Sequence, residues 1–413
     1  MIVTIPNSPL RGKIAAPSSK SDLHRKLICA VLSGSPCEIA FSGTLGQDIL
    51  ATIDCLQALG AVIALDGLVI KIAPLKPERI PPRPVLHCRE SGSTLRFLLP
   101  VAAALCDEFT VDGSGRLPDR PIDTALKILH EHGCFVEGER LPLRVSGRLL
   151  GQSFTLPGDV SSQYLSGLLF AVPLLGAGEI RLSTALQSAA YVDMTLRTLN
   201  EFGAQYTASD GVYTLKQKSV KEISASMKKF AKLDKPVVPR KICAEGDWSN
   251  AAFLLCAGAH SGADVTVTGV LEQSLQGDRA IVKILRSIGA KITQTPDAVR
   301  VRGGNLRGIT PDVREIPDLV PPLAILMSVA EGESRITGGA RLRIKESDRL
   351  AAAAQSINTL GGHAQETPDG LIIQGSRQLC GGTADSFNDH RIAMALALAA
   401  PWCAEPVTIT DAG

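Results

Sequence analysis

Apolar residues recur along this chain in two alternating rhythms, a helical period of 3.6 and a strand-like run that follows it. Five copies of one pattern can be laid side by side: QDILATIDCLQALGAVI, RPIDTALKILHEHGCFV, VDMTLRTLNEFGAQY, GDRAIVKILRSIGAKI and SDRLAAAAQSINTLGGHA. In each, an Asp precedes or opens a stretch such as Ile122, Leu126 and Leu129, or Ile281, Ile284, Leu285 and Ile288. That spacing predicts a helix buried on one face. Each stretch ends at a glycine, Gly60, Gly133, Gly203, Gly289 or Gly361, which is expected to cap the helix C-terminus. After four of them comes a turn (Asp66-Gly67, Asp210-Gly211, Pro296-Asp297, Asp369-Gly370) and a β-rich run, the signature of a hairpin.

The repeat is too long for a solenoid of 20 to 50 residue units, so each unit holds several strands and at least one helix. A degenerate sixth copy around DSFNDHRIAMALALAAPW brings the expectation to two domains of three units each. A single α/β domain whose helices merely look alike is the plainer alternative. The Lys-rich stretch KQKSVKEISASMKKFAKLDKPVVPRK, within the longest interval between repeat glycines, reads as a hairpin or solvated surface excursion near a domain junction.

Composition narrows the function. The chain has 413 residues, more than one core usually serves, and 45% of them are hydrophobic. Lys plus Arg (43) nearly balance Asp plus Glu (41), so any anion site must be local rather than a generally basic face. Aromatics make up only 4%, which disfavours base stacking and hence single-stranded nucleic acid as a partner. The ten cysteines lack CxxC or zinc spacing and are expected to be buried free thiols in a reducing compartment. No apolar run reaches the roughly 18 residues of a membrane span. The expectation is a soluble cytoplasmic protein with no membrane or nucleic-acid partner.

Chemistry concentrates in a few segments. PSSKSDLHR places Lys20, Ser21 and Arg25 at the opening of an apolar helix, where unpaired N–H groups attract anions. RESGSTLRFLLP offers Gly92, which allows close backbone approach, and the Arg96 fork. GRLPDRPID adds Arg116 and Arg120, and GDVSSQYLSGLL adds Ser161, Ser162 and Gln163, groups suited to a phosphorylated or polyhydroxylated substrate. Helix capping and ordinary Gly-Ser turns account for each of these taken singly. Farther on, Asp318 stands before an apolar run, where partial burial is expected to raise its pKa towards that of a usable base. RLRIKESDRL gathers Lys345, Glu346, Asp348 and Arg349, and FNDHRIAMALAL offers Asp389, His390 and Arg391 at the start of a nearly all-apolar helix. His24 reads as a packed or solvent-side histidine rather than a ligand.

Nine segments carry a resemblance: SKSxxxR, SGSTxRFLLP, RLPDRPID, GDVSSQYxSGLL, YVDMTL, EGDWSNAAF, IPDLVPPLA, RIKESDRLAA and FNDHRIAMA. In this order, across residues 18 to 396, the set resembles the 5-enolpyruvylshikimate-3-phosphate synthases, which are enolpyruvyl transferases. The resemblance implies an α/β (α+β) fold, a two-domain inside-out α/β barrel with three βαβαββ repeats per domain. One domain would be 1–18 plus 243–413 and the other 19–242, with the active site in the cleft between them. The implied reaction moves the enolpyruvyl group of phosphoenolpyruvate to the 5-hydroxyl of shikimate 3-phosphate and releases phosphate, in a monomer, with no metal or organic cofactor.

By the same resemblance, phosphoenolpyruvate is bound by Lys20, Gly92, Arg120, Gln163, Arg349 and Arg391, with Arg96 nearby. Shikimate 3-phosphate is bound by Lys20, Ser21, Arg25, Ser161, Ser162, Gln163, Ser188, Asp318 and Lys345. Asp318 is the implied base and Glu346 the implied handler of the methylene proton. Lys20 assists the leaving phosphate and His390 supports the site.

The chain departs from the usual family pattern beside the SKS and Gly-Arg elements. Glu90 puts a negative charge next to the anion pocket, and Arg341 stands where many members carry an Asn. The family pattern also implies a further phosphoenolpyruvate-binding lysine in a segment beyond VTITDAG. Two other readings stay open: a UDP-N-acetylglucosamine enolpyruvyl transferase, whose loop cysteine has no counterpart in DGSGRLPDRPID, and a catalytically silent binding paralogue.

Overall fold

In the computed structural model, which describes residues 1–176, 178–216 and 238–412, the two rhythms resolve into six separate sheets. None of the six closes on itself among the described residues. The chain divides into two units, Met1–Pro17 with Glu245–Gly413, and Ser18–Ala244. Each unit has its own hydrophobic core.

The Ser18–Ala244 unit shows the repeat in its plainest form. Strand Val85–His87 leads into helix Gly92–Leu105, strand Glu108–Asp112, helix Asp123–Glu131 and the strands Phe135–Glu137 and Leu143–Ser146. The first two strands pair in parallel, the last two pair antiparallel with each other, and the last, Leu143–Ser146, also pairs antiparallel with the second. Strands and helices from Ser153 to Leu215 repeat this βαβαββ order and its pairing. The remaining sheet of this unit borrows its opening strand from far along the chain: Arg240–Cys243 pairs in parallel with Cys37–Ala40. In the other unit Arg11–Ala15 does the equivalent beside Asp264–Thr268. The degenerate sixth copy is a three-stranded sheet completed by the N-terminus, with Val3–Ile5 antiparallel to Val407–Thr410.

The five repeat glycines all follow their helices with φ between 86° and 109°, a region closed to side chains with a Cβ, which is why this residue punctuates every copy. The turns after Gly60, Gly203, Gly289 and Gly361 are hairpins, as the pattern predicts. The copies' amphipathic helices bury one stripe, for instance Ile281, Val282, Leu285 and Ile288. The helices that open the repeats are different: Lys20–Leu32, Gly92–Leu105 and Ser162–Leu175 are buried along most of their length. The mostly apolar sequences of the second and third reflect contact on every side rather than on one stripe, while the first also buries Asp22, His24, Arg25 and Lys26.

Eight cysteines are buried free thiols as expected, but Cys243 and Cys380 are exposed. No helix among the described residues is long and apolar enough to cross a membrane. The Lys-rich stretch read as a hairpin or surface excursion lies outside the described residues from 217 to 237.

Gly167 sets the approach of two inner helices. A Cβ built there would lie 2.3 Å from the carbonyl oxygen of Arg96, a backbone atom that cannot swing away. Substituting Gly167→Ala should therefore force the helices apart and cost about 2–3 kcal/mol in urea unfolding, the magnitude of core overpacking.

Candidate active site

The candidate residues of the Ser18–Ala244 unit lie in the first two turns of a helix, at its cap, or in the loop that leads to one. Ser19 caps the Lys20–Leu32 helix by accepting from the Asp22 amide at 3.4 Å. Lys20, at the first helical position, holds Asp48 Oδ2 at 2.8 Å with both side chains about one-third exposed, so the lysine is poised and not sequestered. Arg25, one turn on, is fully buried. Its Nε donates to Thr195 Oγ1 at 2.8 Å, Nη1 to the Ser21 carbonyl at 2.6 Å and Nη2 to the Tyr191 carbonyl at 2.8 Å. Burial lowers its pKa to about 10, which still leaves it cationic at neutral pH.

Two guanidiniums converge over Gly92. A Cβ on that residue would lie 2.8 Å from Arg96 Nη1 and 3.0 Å from Arg120 Nη1. Arg96 is held by Gln163, whose Oε1 accepts from Nη1 at 2.9 Å while its Nε2 donates to Ser93 Oγ at 2.8 Å. Ser161 caps the helix that carries Ser162 and Gln163. With first-turn N–H groups below and two guanidiniums above, this end of the Gly92–Leu105 helix is built to receive an anion. Ser188 stands at the cap of the Ala189–Glu201 helix with φ of 58°, a left-handed conformation rare for serine and of the kind that accumulates at functional sites. Glu90, flagged beside the anion pocket, turns away to the next loop and accepts from the Arg116 amide at 3.2 Å.

In the other unit a single buried arginine organises the site. Arg349, 1% exposed, donates from Nη1 to Asp318 Oδ1 at 2.9 Å, from Nη2 to Glu346 Oε2 at 2.6 Å and from Nε to Asp389 Oδ2 at 2.8 Å. Arg391 adds a bond from Nη2 to Asp318 Oδ2 at 3.1 Å, and its Nη1 is buried with no hydrogen-bond partner among the described residues. Asp389 also caps its own helix, accepting from the Arg391 amide at 2.9 Å. His390 is half exposed, its Nδ1 4.0 Å from Asp389 Oδ1.

Asp318 does not cap a helix; both of its oxygens face arginines. Burial pushes its carboxyl up, but Arg391, Lys345 and Arg349 together outweigh burial and hold it well below the usual carboxylate range. The expectation of a raised pKa is thus reversed in the free protein, because the sequence could not show two arginines on one carboxylate. Burial lowers Lys345 in turn, against the pull of Asp318 and Glu346.

Sequence reasoning missed Asp48 and Asp278, which sat in stretches read only as amphipathic helix, and it did not link Thr195 and Tyr191 of YVDMTL to Arg25. Asp278 is 1% exposed and bonded to the Ser249 hydroxyl, and its Oδ1 has no partner among the described residues. Among the described residues no group of three or more His, Cys, Asp or Glu side chains could hold a metal ion.

Residues 5–413 match the family described as EPSP synthase (3-phosphoshikimate 1-carboxyvinyltransferase). The chain belongs to this family. Relatives named 3-phosphoshikimate 1-carboxyvinyltransferase include that of Clostridium kluyveri, 39% identical, with 99% of this chain and 93% of the relative covered. The Clostridium acetobutylicum protein is also 39% identical, over 97% and 90%. An EPSP synthase structure from Acinetobacter baumannii superimposes with a TM-score of 0.78 at 25% identity, covering 100% of this chain and 94% of that one. The two-domain mixed α/β architecture described above is therefore that of the EPSP synthases.

Two outcomes follow from the geometry. Gly92→Ala should push the flexible ends of Arg96 and Arg120 aside, leaving the fold intact but raising the dissociation constant for inorganic phosphate about ten-fold in calorimetry. Asp278 supplies a pH test. Burial, reinforced by Asp318, pushes its carboxyl up to about 7 from 3.8. Its proton is held in the folded state and released on unfolding between those values, so the stability it contributes is full at low pH and lost as pH rises towards 7. Thermal melts should show Asp278→Asn gaining on the wild type at about pH 8 relative to about pH 5.

Proposed function

We propose that this chain transfers the enolpyruvyl group of phosphoenolpyruvate to the 5-hydroxyl of shikimate 3-phosphate, releasing inorganic phosphate. The observation that carries this reading is the grouping of Asp318 and Glu346 on one buried guanidinium, in a chain matched along nearly its whole length by the EPSP synthase family. Two polyanions must be bound by a protein of net charge +2, so the cations have to be concentrated where they are used.

Phosphoenolpyruvate is assigned to Lys20, Gly92, Arg120, Gln163, Arg349 and Arg391, with Arg96 supporting. Shikimate 3-phosphate is assigned to Lys20, Ser21, Arg25, Ser161, Ser162, Gln163, Ser188, Asp318 and Lys345. Substrate anions compete with Asp318 for Arg349 and Arg391. As those arginines turn to substrate, Asp318 loses the charges that depress its pKa and becomes a stronger base.

Asp318 then takes the proton of the 5-hydroxyl as that oxygen bonds to C2 of phosphoenolpyruvate, and Glu346 delivers a proton to C3. In the reverse sense, the Glu346 carboxylate removes a proton from the new methyl group while the C2–O bond to phosphate breaks. Lys20 stabilises the departing phosphate, and His390 supports the site from the Asp389 side. UDP-N-acetylglucosamine is the competing acceptor, and a binding-only protein is the remaining alternative.

Phosphate release is the deciding assay. Release with shikimate 3-phosphate and none with UDP-N-acetylglucosamine is the expected result. Asp318→Asn, Glu346→Gln and Lys20→Ala should each lower kcat by about 10²–10⁴-fold, with melting temperatures close to wild type. Wild-type rates in all three would remove the mechanism.

A further inference from the structure

Behind the Gly92 helix terminus runs a buried line of hydroxyls that ends on a histidine. His24 Nδ1 lies 2.7 Å from Thr52 Oγ1, Thr52 Oγ1 lies 2.7 Å from Thr94 Oγ1, and Thr94 Oγ1 lies 2.7 Å from Ser91 Oγ. All four side chains are 1% exposed or less. They join three helices, Lys20–Leu32, Gln47–Ala58 and Gly92–Leu105, and the last contact reaches the cap residue of the helix that presents Gly92.

The line has a direction. Burial, aided by Lys20 and Arg25 and opposed by Asp48, lowers the His24 pKa to about 3, so the ring is neutral and carries one N–H. Its Nε2 is buried with no partner among the described residues. A buried N–H without an acceptor is rarer and costlier than a lone pair without a donor, so the proton belongs on Nδ1 and is given to Thr52. Thr52 then donates to Thr94, and Thr94 donates to Ser91. The competing acceptor, the Asp48 carbonyl, is farther from both threonines, at 3.3 and 3.2 Å. Ser91 Oγ thus accepts from the Thr94 hydroxyl as well as from the Thr94 amide at 3.2 Å.

We propose that His24 and Thr52 are positioning residues for phosphoenolpyruvate, fixing through Thr94 and Ser91 the helix terminus that offers Gly92 to its anionic groups. Neither residue touches substrate. Their effect is confined to how firmly the first turn of the Gly92–Leu105 helix is held beneath Arg96 and Arg120. This inference rests on assigning phosphoenolpyruvate to that helix terminus.

The test uses steady-state kinetics of the full chain with both substrates. Thr52→Val keeps the shape and removes the hydroxyl. It should raise KM for phosphoenolpyruvate about ten-fold while kcat and KM for shikimate 3-phosphate stay within about two-fold, the size expected for a weakened helix cap. Thr52→Ser should restore the wild-type value. His24→Asn, whose amide nitrogen falls near the place of Nδ1, should also approach wild type, whereas His24→Leu should behave as Thr52→Val. An unchanged KM for phosphoenolpyruvate in both Thr52→Val and His24→Leu would overturn the proposal, as would equal changes in both KM values. Arg120→Ala separates the two levels. If it raises KM for phosphoenolpyruvate and Thr52→Val does not, only the relay falls. If it leaves that KM unchanged, the assignment of the helix terminus falls and takes the relay with it.

Discussion

One guanidinium, that of Arg349, ties three carboxylates from three separate stretches of chain, and the roles we propose for Asp318 and Glu346 depend on that arrangement. Buried charges are tolerated only when paired and hydrogen-bonded, and removing one partner from such a set typically costs about 3–5 kcal/mol. Asp318 precedes one helix, Glu346 sits in the loop after a short 3-10 turn, and Asp389 caps another helix. None of these positions would hold its carboxylate in the interior alone. Arg349, at the first turn of its own helix, makes their burial affordable and brings Asp318 and Glu346 onto one guanidinium.

The same interaction keeps the Asp318 carboxyl ionised, well below the usual carboxylate range. Two arginines that keep a carboxyl ionised also make it a poor base, so the base role we propose for it requires those cations to be redistributed when other anions arrive. Arg25 and Lys20 show contrasting solutions in the other unit. Arg25 is anchored by three carbonyl and hydroxyl oxygens of its own unit, whereas Lys20 holds a partly exposed carboxylate that it can exchange.

The repeat explains why the chemistry collects at helix termini. In the Ser18–Ala244 unit, the helices that open the three copies are buried along most of their length, and their first turns carry Lys20, Gly92 and Ser162. A buried helix can expose polar groups only at its ends, and the N-terminal end is the one that favours anions. The absent side chain at Gly167 lets two of these helices meet closely enough for Arg96 and Gln163 to bond. The packing that makes the core therefore also sets the geometry of the anion site.

The sequence alone determined the repeat, because a helix stripe, a glycine with positive φ and a two-residue turn are local features written in consecutive residues. It also determined which segments carry cations and hydroxyls, and their family order. It could not show that Asp318 faces two arginines, that Arg25 is buried against Thr195 and Tyr191, or that Asp48 meets Lys20 and Asp278 meets Ser249, since each depends on partners from distant segments. His24 is the clearest case: one polar residue in an apolar run says only that it is packed. Its neighbours Thr52 and Thr94 are brought to it by tertiary contact among three helices, and burial then decides its protonation and the direction of the hydrogen bonds that follow.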